Sequence, residues 1–123
     1  MNYIKYYEDD NEPDYSWETP KWPAENYAVW CNAVHDGFGV EPSDDYPLLG
    51  IKSVDSTALH VLGGLAENNT TYLQKILASS KGRVPFDVIN IHNYCTDLKD
   101  GYTPENENYG LEKNLEGFMD WCK

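Results

Sequence analysis

The chain has 123 residues with 41% hydrophobic and 14% aromatic content, a composition typical of one globular domain with an apolar core. Its 21 acidic and 9 basic residues give a formal net charge of -12, which phosphate backbones and anionic lipid surfaces would repel. We therefore expect neither nucleic acid nor a membrane as a partner, and no segment has the pattern of a signal peptide or a transmembrane helix.

The first predicted element is a short strand over Tyr3–Tyr7, where aromatic and β-branched residues precede the turn-forming run Asn11–Asp14. Asp9 and Asp10 lie between the two segments. Because a charged carboxylate that faces a helix layer is costly to bury, Asp9 predicts that the strand ends early or that its surroundings differ from those of a packed strand.

A helix is predicted over about residues 24 to 36, with Pro23 and Glu25 suited to its first turn and Gly37 to its end. Its apolar positions recur at helical spacing and are Tyr27, Trp30, Cys31 and Val34. Residues 38 to 57 are predicted to form a long loop with a short turn over Gly50–Asp55.

The second predicted strand is Leu59–Leu62, and Gly63-Gly64 is expected to end it where backbone segments pass closely. A helix capped by Thr70 and Thr71 should follow. Its apolar face consists of Leu73, Ile76 and Leu77, with Gly82 beyond its end.

The third predicted strand, Phe86–His92, is apolar on one face and becomes polar on the other. Ile89 and Ile91 share the face that should meet helices. The second face carries Val88, Asn90 and His92, continued by Tyr94. A last helix is predicted from the spacing of Leu111, Leu115, Phe118 and Cys122.

Strand and helix thus alternate three times without a hairpin signal, which predicts an α/β fold with parallel strands. Two architectures fit: an open doubly wound sheet and an arc of a (β/α)8 TIM barrel. A complete barrel takes roughly 250 residues, so a chain with three βα units would hold less than half of one.

Polar residues follow two of the predicted strands, at the ends where parallel α/β folds bind ligands. They are Asn11-Glu12 after the first strand and His92 at the end of the third. A histidine that satisfies its hydrogen bonds within the core is the alternative explanation for His92. Neither a metal nor a cofactor is predicted, because the histidines lack ligand spacing and no Gly-rich nucleotide motif occurs. The widely spaced cysteines, Cys31, Cys95 and Cys122, are predicted to be buried thiols.

A glutamate at a strand end suits the cleavage of a glycosidic bond. The leaving oxygen must be protonated, so one carboxylic acid donates a proton while a second carboxylate attacks the sugar or activates water. Asn11 adds an amide that can hydrogen-bond a sugar hydroxyl, and Pro13 fixes the backbone after Glu12.

The segment KYYEDDNEPD, residues 5 to 14, resembles the fourth strand of clan A glycoside hydrolases, where an Asn-Glu-Pro motif carries the acid/base. Residues 24 to 28 (AENYA) resemble the helix that follows that strand. Residues 61 to 65 (VLGGL) and 86 to 94 (FDVINIHNY) resemble the fifth and sixth strands of the same TIM barrels. The similarity covers about residues 3 to 122 and points to β-xylosidase, α-L-iduronidase and bacterial cellulase-like relatives.

The resemblance implies a retaining glycosidase, a hydrolase of O-glycosyl compounds in plant or microbial polysaccharides or oligosaccharides. Glu12 would be its acid/base, and Asn11 would hold the hydroxyl beside the anomeric carbon. His92 and Tyr94 would line the subsite and orient the nucleophile. Trp17, in the aromatic loop after Glu12, is a further candidate for contact with the sugar.

The family's nucleophile is a glutamate on a seventh strand, and no acidic residue of the last predicted loop and helix matches it. Residues 1–123 are therefore expected to be an internal fragment of a single catalytic domain, with the remainder of the parent barrel as its partner and no activity alone. The identity of the sugar and the linkage, and endo or exo action, depend on loops outside the fragment. A secreted or periplasmic parent is compatible with this expectation.

The same residues leave a different function class open. A non-catalytic carbohydrate-binding or interaction module could keep the α/β scaffold and the aromatic loop of Trp17 and Trp22 without turnover. An independent acidic α/β protein of unrelated role is the third possibility.

Overall fold

The computed structural model describes residues 4–15, 22–45, 47, 49–66, 69–92, 116 and 119–120. Its named elements are β1 (Tyr6–Glu8), α1 (Ala24–Asp36), α2 (Ile51–Val54), β2 (Leu59–Ala66), α3 (Thr70–Ser79) and β3 (Val88–His92). Among these residues, no helix has the length and apolar character needed to cross a bilayer.

The three strands form one parallel sheet in the order β1-β2-β3. Val61 of the middle strand pairs with Glu8 on one side and with Val88 on the other. Parallel neighbours need a crossover connection, and helices supply it between each pair of strands. The predicted α/β fold with parallel strands is confirmed.

The middle strand contains a bulge at Gly63-Gly64. Leu62 and Leu65 pair with residues of β3 that are only two apart, so both glycines stand opposite Asn90 alone. The prediction that the strand ends at these glycines is wrong, since β2 continues to Ala66. The bulge changes the register without ending the pairing.

Close approach of backbone, the reason for expecting glycine here, is nevertheless present. A β-carbon on Gly63 would meet the carbonyl oxygen of Asp10 and lie 2.7 Å from the hydroxyl of Tyr27. That hydroxyl accepts the Gly63 N–H at 3.2 Å. The residue is therefore the point where the loop after β1 and the helix α1 both touch the middle strand.

Helices α1 and α3 pack on each other and cover one face of the sheet. Ile89 and Ile91 of β3 contact this layer, which confirms the predicted apolar face. The buried apolar cluster consists of Ala24, Tyr27, Ala28, Cys31, Leu62, Leu65, Tyr72, Leu73, Ile76 and Phe86. The opposite face, here named the open face, carries Glu8, Val61, Asn90 and His92 by pairing register, and these side chains are exposed or half-buried.

The predicted ends of the helices are confirmed for α1 and corrected for α3. Helix α1 ends before Gly37, which has a φ of 80°. The short helix α2 occupies the predicted turn. For α3 the cap is Asn69 rather than Thr70 or Thr71, because the Asn69 side chain accepts the N–H of Tyr72 at 3.0 Å. The threonines begin the helix instead.

Strand β3 begins at Val88, two residues later than predicted. Asp87, the residue before it, is hydrogen-bonded to His60 through both its side chain and its backbone. Its carboxylate accepts the N–H of His60 at 2.9 Å, while its own N–H donates to the His60 carbonyl at 2.8 Å. Burial works to raise the pKa of Asp87, but the hydrogen bonds from Lys52 and His60 outweigh it and hold the pKa below its usual value. The last predicted helix lies largely outside the described residues, although Glu116, Met119 and Asp120 are helical.

The first strand is Tyr6–Glu8 rather than the predicted Tyr3–Tyr7: Ile4 and Lys5 lie outside it, and it ends one residue later than predicted. Asp9 follows the strand and is paired in the interior. Its Oδ1 lies 2.7 Å from Nε2 of His60, and the two side chains are 2% and 0% exposed. The thiol of Cys31 donates to the other oxygen at 3.5 Å. Pairing offsets the cost of burying the carboxylate. Cys31 is a buried free thiol as predicted, whereas Cys95 and Cys122 lie outside the described residues.

We expect Gly63→Ala to destabilise the fold by about 3 kcal/mol, the upper end of overpacking costs, because the new methyl group meets backbone that cannot rotate away. Denaturant unfolding of both proteins measures the loss. Gly82→Ala is the control: its φ of 80° strains any side chain, but no atom lies within 4 Å of the new β-carbon. Equal losses at the two positions would contradict the tight contact at Gly63.

His35 of α1 gives a second test, through pH. Its ring lies against that of His60, with centroids 5.6 Å apart. Burial lowers the pKa of His35; the charge of Asp87 opposes this shift and that of His60 adds to it. Below about pH 6.5 the unfolded chain therefore binds a proton that the folded chain resists, so stability falls as the pH falls.

We expect His35→Gln to reduce the loss of unfolding free energy between about pH 8 and about pH 5.5. The other ionisable groups near it, His60, Asp36, Asp87 and Lys52, are unchanged in the variant and supply a common background. Unfolding curves of both proteins at the two pH values measure the difference. A parallel decline in variant and parent would show that His35 does not contribute.

Candidate functional site

The candidate site lies at the carboxyl ends of β1 and β3, where the chain after β1 crosses the end of the middle strand. Asn11 forms an isolated parallel bridge with Gly64, and the N–H of Glu12 donates to the Gly64 carbonyl at 2.8 Å. The segment thus stays against β2 for four residues beyond the end of β1. Glu12 reaches the same edge of the sheet as His92, the last residue of β3.

Glu12 and His92 are joined by a hydrogen bond of 2.8 Å between Oε1 and Nδ1. The side chain of Glu12 is 1% exposed and that of His92 is 25% exposed. A buried carboxyl group is therefore linked to an imidazole that solvent can reach. The structure brings these two predicted site residues together although 80 positions separate them in the sequence.

Gly64 provides the space in which they meet. A β-carbon on Gly64 would lie 2.6 Å from Cδ2 and 2.7 Å from Cε1 of His92, far inside van der Waals contact. Neighbouring strands are about 4.8 Å apart, so side chains of two outer strands must reach over the strand between them. The imidazole lies over bare backbone and reaches Glu12 on the other side.

Glu12 also has an unusual backbone, with a φ of 51° in the left-handed region. This conformation costs a residue with a side chain about 1–2 kcal/mol. Two backbone hydrogen bonds hold it: the N–H of Glu12 donates to Gly64, and its carbonyl accepts the N–H of Tyr15 at 3.0 Å. Strain of this kind concentrates at functional sites, where the surrounding structure maintains it.

Asp14 anchors the loop that follows Glu12. It is 3% exposed, and its two oxygens accept the N–H of Ala66 at 2.9 Å and the side-chain amide of Asn69 at 2.8 Å. One carboxylate thus joins the loop to the end of β2 and to the cap of α3. The sequence showed Asp14 as part of a turn and of the Asn-Glu-Pro-Asp segment. No local pattern indicated its contacts with Ala66 and Asn69.

Glu8, the last residue of β1, makes a second link across the middle strand, four residues before Glu12 in the chain. Its Oε1 accepts the side-chain amide of Asn90 at 2.7 Å and the N–H of Gly64 at 3.3 Å. Sequence reasoning also missed this residue. The available signal was the two-residue alternation of β3, which put Asn90 on the polar face and implied a polar partner there.

The remaining predicted site residues have different outcomes. Asn11 is exposed beside Glu12, while Trp17 and Tyr94 lie outside the described residues. Trp22, from the aromatic loop, packs on the helix layer with its ring centroid 6.0 Å from that of Tyr27. Trp22 is half-buried there and also lines a cavity between α1 and α3.

The geometry supports proton chemistry at one carboxyl group. A buried acid that shares a hydrogen bond with an accessible imidazole can be held in one orientation while it gives or takes a proton. In the part of the chain that the structure describes, no group of three His, Cys, Asp or Glu side chains could hold a metal ion. No protein family model, curated protein or solved structure matches this chain.

We expect Gly64→Ala to expel the imidazole of His92 and to lower the unfolding free energy by about 1–3 kcal/mol. In a His92→Ala background the same change should cost less than about 1 kcal/mol, because the clashing ring is gone. A double-mutant cycle from denaturant unfolding measures the coupling.

Gly63→Ala is the matched control for this cycle, because its neighbours are Asp10 and Tyr27 rather than His92. Its cost should be the same with and without the imidazole. Strictly additive costs for Gly64→Ala and His92→Ala would mean that the ring does not lie over Gly64.

Proposed function

We propose that the chain is part of a retaining glycoside hydrolase and that Glu12 is its acid/base. The observation that carries the proposal is the 2.8 Å hydrogen bond between the buried Glu12 and His92 at the carboxyl edge of a parallel sheet. Enzymes with parallel α/β architecture hold their reacting groups at this edge. The Asn-Glu-Pro-Asp segment and the later resemblance around His92 support the same reaction.

In this reaction a second carboxylate bonds to the anomeric carbon while Glu12 donates its proton to the leaving oxygen, so that a glycosyl-enzyme ester forms as the glycosidic bond breaks. The resulting Glu12 carboxylate then removes a proton from the water that releases the sugar. His92 holds Oε1 through Nδ1 and keeps the carboxyl group in one orientation during both steps. The strained backbone of Glu12 serves the same end, because it fixes the direction from which the side chain leaves the loop.

Substrate contacts are assigned to residues around this carboxyl group. Asn11, exposed next to Glu12, would bind the hydroxyl beside the anomeric carbon. Tyr94 is assigned to the sugar by the resemblance alone, and Trp17 by the ability of aromatic rings to stack on sugar faces. The proposed substrate class is a polysaccharide or oligosaccharide of plant or microbial origin.

A retaining mechanism needs a second carboxyl group about 5–5.5 Å from the first. We propose that a further strand of a (β/α)8 barrel supplies it, with β1, β2 and β3 as the fourth to sixth strands. Two features support a larger sheet: within the described residues β1 and β3 each pair on one side only, and the open face is exposed or half-buried. Parallel sheets are normally covered on both faces.

We expect Glu12→Gln, in the natural full-length protein, to reduce kcat/KM on unactivated glycosides by about 10²–10⁴-fold, the usual contribution of a general acid. The loss should be smaller on dinitrophenyl glycosides, whose leaving group needs no protonation. Initial rates on both substrate types measure the difference.

Asp10→Asn is the matched control, since this half-buried carboxylate accepts the N–H of Asn11 and makes no described contact with His92. It should leave the ratio between the two substrate types unchanged. Equal activity of the Glu12 variant and the parent on both substrates would reject the acid/base assignment. Sugar binding without any turnover would favour a carbohydrate-binding module instead.

A further inference from the structure

We propose that the site accepts an uncharged glycoside and rejects an anionic one, and that Glu8 is the residue that determines this specificity. The inference deepens the proposed function and rests on it. Its basis is the placement of charge around Gly64.

Glu8 presents a fixed negative charge on the open face. Both of its described donors, the amide of Asn90 and the N–H of Gly64, act on Oε1 and carry no charge. They orient the carboxylate without neutralising it. The residue is exposed, so a ligand over this face would meet its charge directly.

The Glu8 carboxylate lies near the same edge of the sheet as Glu12, because both residues are hydrogen-bonded to Gly64. Gly64 donates its N–H to Glu8 and accepts the N–H of Glu12 with its carbonyl. The imidazole of His92 lies over the same glycine. A sugar that receives a proton from Glu12 is therefore within reach of the potential from Glu8, and half-buried Asp10 adds to it.

Four of the five described Lys and Arg residues lie near the opposite edge of the sheet, where strands begin and helices α1 and α3 end. Lys52 contacts Asp87 at 2.7 Å ahead of β3, and Arg83 pairs with Asp36 at the end of α1. The others at this edge are Lys5, before β1, and Lys81, after α3. Lys75 lies on α3 in the helix layer. Among the described residues, none of these cations is available to pair with an anion bound beside Glu12.

A carboxylate, sulfate or phosphate on the sugar would therefore be desolvated near like charge, without a lysine or arginine partner among the described residues. Repulsion between like charges a few ångströms apart at a protein surface corresponds to a penalty of about 10- to 100-fold in kcat/KM. Neutral hydroxyls have the opposite preference, because they can donate hydrogen bonds to carboxylates such as Glu8.

The test uses the natural full-length protein and nitrophenyl glycosides in matched pairs that differ only in charge: glucoside with glucuronide, and galactoside with galacturonide, in both anomers. We expect kcat/KM on the neutral member to exceed that on the uronide by at least about tenfold. Added salt should narrow the ratio, since it screens the repulsion. Equal rates, or faster cleavage of a uronide, would overturn the inference and leave the proposed glycosidase function intact.

Glu8→Gln tests the residue itself. The variant keeps an oxygen that can accept from Asn90 and Gly64, so the fold should persist, and its melting temperature checks this. The ratio of neutral to uronide rates should fall by about tenfold, whereas Glu25→Gln, at an exposed carboxylate in the first turn of α1, should leave it unchanged. An unaltered ratio in a folded Glu8 variant would reject Glu8 as the determinant. Cleavage of no glycoside by the parent would overturn the proposed function and this inference together.

Discussion

The bare backbone of the middle strand is the constraint on which the site depends. In a parallel sheet the side chains of outer strands are separated by the strand between them, and a methyl group on Gly64 would already occupy the place of the His92 ring. With glycine there, Glu8 reaches Asn90 and Glu12 reaches His92 over the same residue. The bulge at Gly63-Gly64 also shifts the pairing register, so that β2 continues to Ala66 beside the end of β3.

The acidic run after β1 is explained by the different donors that its carboxylates meet. Glu8 and Glu12 face the open side of the sheet and its carboxyl edge, where chemistry is proposed. Asp9 is buried against His60, and Asp14 joins the loop to β2 and α3. A stretch that reads as one solvated acidic turn therefore divides into groups that stabilise the fold and groups that can act on a ligand. Which of the two groups a residue belongs to depends on the part of the sheet that its side chain contacts.

Local sequence patterns predicted the helices and strands well, but they predicted the contacts between distant parts of the chain poorly. Helical spacing and Gly37 gave the bounds of α1, and the alternation of β3 gave its apolar and polar faces. The cap at Asn69, the late start of β3 at Val88 and the role of Glu8 were missed because each depends on a partner far away in the sequence: Asp14, His60 and Asn90. The contact between Glu12 and His92 was predictable only because parallel strands end at one edge of the sheet. The space that Gly64 leaves for the imidazole was not predictable from the sequence.

The central claim is that Glu12 and His92 form one proton-transferring unit over Gly64. The most direct measurement is a crystal structure of the natural full-length protein with an uncleaved glycoside analogue bound. The claim predicts the carboxyl group of Glu12 within hydrogen-bonding distance of the glycosidic oxygen while Oε1 keeps its contact with Nδ1 of His92. A glycoside bound at another edge of the sheet, or a Glu12 side chain turned away from the glycosidic oxygen, would contradict it.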